Sequence, residues 1–119
     1  MITTIKALYM GKPVVWQVAD ITRFESSHKY TVAYRNDGKE LLIDESLRKL
    51  AVDLGDRFIQ INRAALVSRD ALVSVQSRSH LMEGFAVIAG VPEPMPCSRK
   101  YVSAVKQFIR QRNEEAESH

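Results

Sequence analysis

Residues 30–43 read Tyr30-Thr31-Val32-Ala33-Tyr34-Arg35-Asn36-Asp37-Gly38-Lys39-Glu40-Leu41-Leu42-Ile43, and this stretch decides the fold class. Asn, Asp and Gly at positions 36–38 tolerate the positive φ angles that a tight turn requires. The residues on both sides are rich in β-branched and aromatic side chains, which fit a pleated sheet better than a helix. The stretch therefore predicts two antiparallel strands joined by a tight turn, with Ala33 on one face of the first strand and Val32 on the other.

The same strand chemistry recurs along most of the chain, and residues 1–43 are all interpreted as strands with a break at Gly11-Lys12-Pro13. Besides the hairpin, strands are predicted at residues 14–18, 21–24, 58–61, 71–75 and 85–88. A polar turn is predicted at residues 77–80. Three prolines exclude regular structure from residues 92–96, because proline lacks an amide donor and keeps the preceding residue extended.

Two helices are predicted from apolar residues at helical spacing. The first lies near residues 46–54, where Asp44 or Ser46 is the N-cap and Gly55 ends the helix. The second lies near residues 98–112, and every charged residue on it is positive. The order of strands, short helix, strands and helix differs from the alternation of a doubly wound sheet. The sequence therefore predicts a mainly β, mainly antiparallel domain with few helices.

Length and charge are those of a single domain with a basic second half. The chain has 119 residues, a mass of 13.5 kDa and a formal net charge of +3. Residues 1–56 carry eight basic and eight acidic residues, residues 57–113 carry nine and three, and the last six carry three glutamates. We therefore predict one domain over residues 1–113 and a disordered acidic tail over residues 114–119. The basic second half favours an anionic ligand.

Several classes of protein are excluded by simple patterns. No apolar stretch approaches the roughly 20 residues that span a bilayer, and residues 2–6 lack the pattern of a signal peptide, so we expect a cytoplasmic protein with no membrane partner. The single cysteine, Cys97, excludes a disulfide within the chain and is expected to be a buried apolar residue. Nucleophile, phosphate-binding and zinc-protease motifs are absent, and the histidines share no ligand spacing. We expect no catalytic residue, no cofactor and no metal site, and therefore no enzyme.

Three polar clusters are predicted at strand ends. They are Glu25-Ser26-Ser27-His28-Lys29-Tyr30, then Asn62-Arg63, and then Ser98-Arg99-Lys100, which follows the proline-rich segment. Such clusters offer cations and hydrogen-bond donors that suit contacts with phosphates and base edges. The same residues also suit ordinary solvated loops, and their spacing does not distinguish the two interpretations.

Five short motifs, taken in order, resemble those of one known family. They are Asp20-Ile21 with Phe24-Glu25 and Lys29-Tyr30, then Ser46-Leu47 with Leu50, then Arg57-Phe58-Ile59-Gln60-Ile61-Asn62-Arg63, then Leu66-Val67-Ser68, and finally Cys97-Ser98-Arg99-Lys100-Tyr101. Over about residues 14–108 the chain thereby resembles the LytTR DNA-binding domain, the output module of response regulators of the LytR/AlgR/AgrA type, and looks closest to the AlgR-like branch. It departs from the family at Asn62-Arg63-Ala64, where many members have His-Arg-Ser, and in the proline-rich residues 89–96.

This resemblance implies an elongated stack of about three antiparallel sheets with about ten strands. It also implies DNA binding by loops at the sheet ends, two of which enter successive major grooves. The implied role is a bacterial transcriptional regulator of a two-component system that binds double-stranded DNA, with tandem repeats in a promoter as the target and a homodimer on the DNA. We expect no receiver domain within these residues.

The family's contacts correspond here to the loop Ser27-His28-Lys29-Tyr30, to Arg63 and to Arg99. The complete set of predicted DNA-binding residues is Arg63, Arg99, Lys29, His28, Tyr30, Asn62, Ser98 and Lys100, with Arg69 and Arg78 as further candidate phosphate contacts. The alternative is a protein-interaction module that uses sheet edges and the C-terminal helix. In that case the helix stripe of Tyr101, Val105, Phe108 and Ile109 would bind a partner and not the chain's own sheets.

Overall fold

Ten strands and two α-helices make up the part of the chain that the computed structural model describes, residues 2–78 and 83–117. The strands are β1 (Thr4–Tyr9), β2 (Lys12–Gln17), β3 (Ile21–Ser27), β4 (Tyr30–Arg35), β5 (Glu40–Ile43), β6 (Phe58–Asn62), β7 (Ala65–Ser68), β8 (Leu72–Arg78), β9 (Glu83–Ile88) and β10 (Met95–Cys97). The helices are α1 (Leu47–Leu54) and α2 (Arg99–Glu117). The strands form three antiparallel sheets, with the orders β1-β2, β5-β4-β3-β7-β6 and β10-β9-β8. The predicted fold class is therefore confirmed.

The five-stranded sheet is the middle layer of the stack, because apolar side chains on both of its faces are buried. In β7, Leu66 packs with the β1–β2 hairpin and α1, whereas Ala65 and Val67 pack with the three-stranded sheet and α2. This split follows from the alternation of side chains along a strand. The described residues extend over 47 × 37 × 26 Å, which agrees with the predicted elongated shape.

The hairpin predicted at residues 30–43 is present as β4 and β5. Ala33 is fully buried and lies opposite Leu41, and the turn contains Gly38 with a φ of 88°. The guanidinium of Arg35 donates two hydrogen bonds to the carboxylate of Asp37, and the amide of Lys39 donates a third. These bonds, that from Arg35 first, lower the pKa of Asp37 to about 2.

Helix α1 forms where it is predicted. The Oγ of Ser46 accepts a hydrogen bond of 3.2 Å from the amide of Lys49, and Gly55 ends the helix with a φ of 62°. Leu50 and Leu54 are fully buried in the core that α1 shares with the β1–β2 hairpin. The helix therefore covers one face of the central sheet.

Helix α2 is longer than predicted. It ends at Glu117, five residues beyond the expected end at Arg112, so four of the six residues expected in a disordered tail are helical. Contacts from Arg112 and Glu115 to the loop after β7 hold these last turns against the sheet. The pattern of apolar residues does not predict these last turns, because they depend on contacts with residues more than 40 positions away.

The apolar stripe of α2 covers the chain's own sheet. Val105 is fully buried, and Tyr101, Phe108 and Ile109 pack against the same core. The stripe is therefore not available to a partner, which removes the helix from the protein-interaction alternative. Among the described residues, neither helix is both long enough and apolar enough to cross a bilayer.

Pro96 lies in a strand, although the prolines predict no regular structure at residues 92–96. Strand β10 is an edge strand in which Pro96 lies opposite Phe85, and an edge tolerates proline because its outer side needs no amide donor. The predicted turn at residues 77–80 is also wrong at its start, since β8 continues to Arg78. The remainder of that turn, residues 79–80, lies outside the described residues.

Candidate nucleic-acid interface

Three segments that are distant in sequence meet at one end of the central sheet. They are the β3–β4 turn, the β6–β7 turn and the junction between β10 and α2. The amide of Ser26 donates a hydrogen bond of 2.8 Å to the carbonyl of Ala64, and the amide of Ser98 donates one of 2.9 Å to the carbonyl of Ile61. We call this surface, formed by residues 26–30, 62–64 and 97–100, the turn end. It contains all eight residues predicted from the sequence to bind DNA.

The β3–β4 turn has two residues. Ser27 pairs with Tyr30, so His28 and Lys29 alone connect the two strands. His28 adopts a φ of 54°, a left-handed conformation that histidine tolerates better than β-branched residues do. Both turn side chains are exposed, and Tyr30 is 52% exposed beside them. The turn therefore presents a cation, an imidazole and a phenol to solvent.

The β6–β7 turn presents one arginine. Asn62 pairs with Ala65, and a β-bulge precedes Asn62 in the ladder, so Arg63 and Ala64 form the turn. The side chain of Arg63 is exposed. The amide side chain of Asn62 bonds within the protein: Oδ1 accepts from the amide of Ala64 at 2.7 Å, and Nδ2 donates to the carbonyl of Pro96 at 2.8 Å.

The junction between β10 and α2 is anchored by its cysteine. Cys97 is fully buried, which confirms the prediction that it is a buried apolar residue. Burial raises the pKa of its thiol. Ser98 follows half-buried, and Arg99 and Lys100 are exposed in the first turn of α2. The Nζ of Lys100 lies 5.5 Å from the ring centroid of Tyr101. The positive end of the helix dipole points to the same side as these two cations.

The basic side chains of the turn end are unpaired with acidic residues in the part of the chain that the structure describes. Within residues 2–78 and 83–117, Lys29, Arg63, Arg99 and Lys100 take part in no ion pair. Exposed cations without internal partners keep their charge and their hydrogen-bond donors available for an anion. This pattern is what contacts with phosphates and base edges require.

Arginines at the opposite end of the sheet bond to the protein itself. Arg112 donates through Nη1 to the carbonyls of Arg69 (2.8 Å) and Leu72, and Arg57 donates through Nε to the carbonyl of Leu54 at 3.1 Å. Arg69 forms an ion pair with Glu115 and lies 5.4 Å from the ring centroid of Phe108. We call Arg57, Arg69 and Arg112 with their acceptors the clamped end.

The clamped end changes the interpretation of Arg69. Arg69, expected as a candidate phosphate contact, lies at the far end of β7 from Arg63 and already has an anionic partner. Arg78 lies at the end of β8, and its side chain is outside the described part of the structure. The structural role of Arg112 was not predicted, since a basic residue near a helix end does not identify the carbonyls that it reaches.

The chain is similar to known proteins in sequence and in fold. The family model described as the LytTr DNA-binding domain matches residues 11–110. The positive alginate biosynthesis regulatory protein of Pseudomonas aeruginosa is 32% identical over 93 residues, which are 77% of this chain and 37% of that protein. The chain therefore spans little more than a third of the length of this curated relative.

A solved structure from Bacillus cereus has the same fold. It is the LytTr DNA-binding domain of a methyl-accepting/DNA response regulator, and it superposes with a TM-score of 0.78 at 15% identity over 92% of this chain and 98% of that one. The structural likeness supports the fold, and the family model and the relative support the assignment by sequence. This chain belongs to the family of LytTR DNA-binding domains.

Proposed function

We propose that this chain binds double-stranded DNA in a sequence-specific manner through the turn end and acts in bacterial transcription. The observation that carries the proposal is the convergence of two turns and the start of α2, whose exposed cations form no ion pair within residues 2–78 and 83–117. Membership of the family supports DNA as the anion. The turns extend from a three-sheet scaffold, so their side chains are presented from fixed positions.

The residues of the turn end would contact different parts of the DNA, according to the chemistry of their side chains. Arg63 and Arg99 carry planar guanidinium groups that match guanine O6 and N7. His28, Lys29 and Tyr30 would form a second contact of mixed base and phosphate character. Ser98 and Lys100, in and beside the first turn of α2, would bind phosphates and set the register of the domain on the duplex.

The wider role is part of the same proposal and rests on the resemblance to the family. Two of the turns would enter successive major grooves on one side of a duplex, with tandem repeats in a promoter as the target. The relative from P. aeruginosa is a regulatory protein by name, and the structural relative comes from a response regulator. Such a domain would work in a two-component system in the cytoplasm, where bacterial DNA lies.

Substitution of the two arginines tests the proposal. The probe is a duplex selected with the wild-type chain from a pool of random sequence, compared with a scrambled duplex in a gel-shift titration. Arg63→Ala and Arg99→Ala should each reduce the preference for the selected duplex about 5- to 150-fold, equivalent to about 1–3 kcal/mol of lost discrimination. Affinity for both duplexes should fall as salt rises, because cations that bind phosphates release counterions.

The matched controls are Arg110→Ala and Lys106→Ala, which remove exposed cations from α2 away from its first turn. They should leave the preference unchanged. The proposal fails if either control is as damaging as Arg63→Ala and Arg99→Ala, or if complex formation is insensitive to salt.

A second candidate function, contact with another copy of this chain on DNA, is favoured by an apolar surface. Leu8, Met10 and Leu42, from the β1–β2 hairpin and β5, are 68%, 85% and 57% exposed. Large exposed apolar side chains that lie together are typical of interaction surfaces. Leu8→Ser with Met10→Ser should abolish cooperative binding to a duplex with two copies of the selected site while binding to one copy is kept. Unchanged cooperativity in this variant would count against the surface.

A further inference from the structure

We propose that Asn62 is a positioning residue: its side chain sets the spacing between Arg63 and Arg99 and makes no base contact of its own. The inference rests on the proposed function of the turn end. It assigns to Asn62 a role different from the direct DNA contact that the polar cluster Asn62-Arg63 predicts. The evidence is that both polar atoms of this amide form hydrogen bonds within the protein.

The first of these bonds closes the turn that carries Arg63. Asn62 Oδ1 accepts from the amide of Ala64 at 2.7 Å, a local bond across the two-residue turn. Asn and Asp side chains stabilise turns in this way by bonding to the backbone two residues ahead. The bond therefore holds the backbone of Arg63 in one conformation.

The second bond joins this turn to the segment that carries Arg99. Asn62 Nδ2 donates to the carbonyl of Pro96 at 2.8 Å, across 34 positions of sequence. The amide of Ser98 donates to the carbonyl of Ile61 at 2.9 Å, so two bonds link the segments on either side of the buried Cys97. Arg63 directly follows Asn62, and Arg99 directly follows Ser98. Each arginine therefore follows a residue that forms a hydrogen bond with the other segment, and these two bonds hold the arginines relative to each other.

Both bonds need the chemistry of an amide. Asparagine offers an acceptor and a donor on one short side chain, and the two bonds use one of each. Serine keeps an oxygen that can accept from the amide of Ala64 but is too short to reach Pro96, and alanine makes neither bond. The two substitutions thus separate closure of the turn from the link between the segments, without a change of charge beside the duplex.

A positioning role and a base contact predict different losses of specificity. A residue that contacts one base pair relaxes discrimination at that pair, and its effect adds to that of a distant contact. A residue that holds two arginines in place relaxes discrimination at the pairs that the arginines bind. Its effect disappears once both arginines have been removed, because nothing remains to be positioned.

The experiment measures binding to the duplex selected with the wild-type chain and to each of its single-base variants. Arg63→Ala and Arg99→Ala first identify the base pairs that each arginine reads. Asn62→Ala should then reduce discrimination about tenfold at both sets of pairs, an effect of the size of one or two hydrogen bonds. Asn62→Ser should reduce discrimination at the base pairs that Arg99 reads. Asn36→Ala, in the turn at the other end of β4, is the matched control and should change nothing.

A second readout follows the bond in the protein without DNA. Hydrogen exchange at the amide of Ala64 should be about tenfold faster in Asn62→Ala than in the wild type and should stay slow in Asn62→Ser. The inference is overturned if Asn62→Ala relaxes a separate base pair, or if its effect persists in full in the Arg63→Ala/Arg99→Ala double variant. If the arginine variants themselves leave discrimination intact, the proposed function fails together with the inference, whereas failure of Asn62 alone leaves the proposed function standing.

Discussion

Arg63 and Arg69 bracket the short strand β7, and each is the first residue of a turn that follows a strand. Arg63 lies at the turn end, exposed and without an ion pair among the described residues, whereas Arg69 lies at the clamped end against Glu115 and Phe108. Their local sequence contexts are alike, and their roles differ because different elements lie beside them. Arginine at a strand end therefore indicates a binding surface only when no internal acceptor reaches it.

The largest effect expected at the clamped end comes from Arg112. Its guanidinium donates to the carbonyl of Arg69 in the loop after β7 and to that of Leu72 at the start of β8, and hydrogen bonds from a charged donor are worth about 1.5–3 kcal/mol. Arg112→Ala should lower the free energy of unfolding by about 2 kcal/mol in urea denaturation followed by circular dichroism, with the DNA preference of the folded chain kept. Arg110→Ala is the control with the same side chain on the same helix. A loss of DNA preference in folded Arg112→Ala would break the contrast between the two ends.

A smaller effect is expected from the ion pair of Arg69. The side chain of Glu115 is 65% exposed and that of Arg69 24%, and surface pairs of this kind contribute about 0–1 kcal/mol. Glu115→Gln should therefore lower stability by less than about 1 kcal/mol and should give no gain in DNA affinity, since Arg69 lies at the far end of β7 from the turn end. The comparison would need revision if freeing Arg69 strengthened DNA binding severalfold.

The smallest effect is a pH dependence of stability at the β4–β5 turn, which lies at the same end of the central sheet as the clamped end. The pKa of Asp37 is lowered from 3.8 to about 2, chiefly by the hydrogen bond from Arg35. Because the folded state favours the ionised carboxylate, the stabilisation is present above pH 3.8 and is lost as the pH falls towards 2. Asp37→Asn should flatten the melting temperature over this acidic range, and Asp56→Asn, an exposed carboxylate elsewhere, is the control. Identical acid profiles for wild type and Asp37→Asn would contradict the assignment.

Local signals were sufficient for the hairpin and for α1. The turn residues Asn36-Asp37-Gly38, the Ser46 cap and the final Gly55 act on their immediate neighbours, so their effects can be predicted without knowledge of the rest of the chain. Strand β7 was not predicted, because its four residues pair with β3 and β6 and are buried on both faces, so they show no alternation. Likewise, Pro96 is compatible with a strand only because β10 is an edge, which is a property of the sheet.

The sequence by itself determined the fold class, the family and the set of residues that form the turn end, because patterning, turn chemistry and motifs are local. Only the tertiary structure decided which polar side chains of the chain are available to a ligand. It paired Arg69 with Glu115, fastened Arg112 to two carbonyls and committed both atoms of the Asn62 amide, while Arg63 and Arg99 were left exposed. The physical reason is that a side chain's hydrogen bonds depend on acceptors brought near by the fold, from positions that local sequence does not specify.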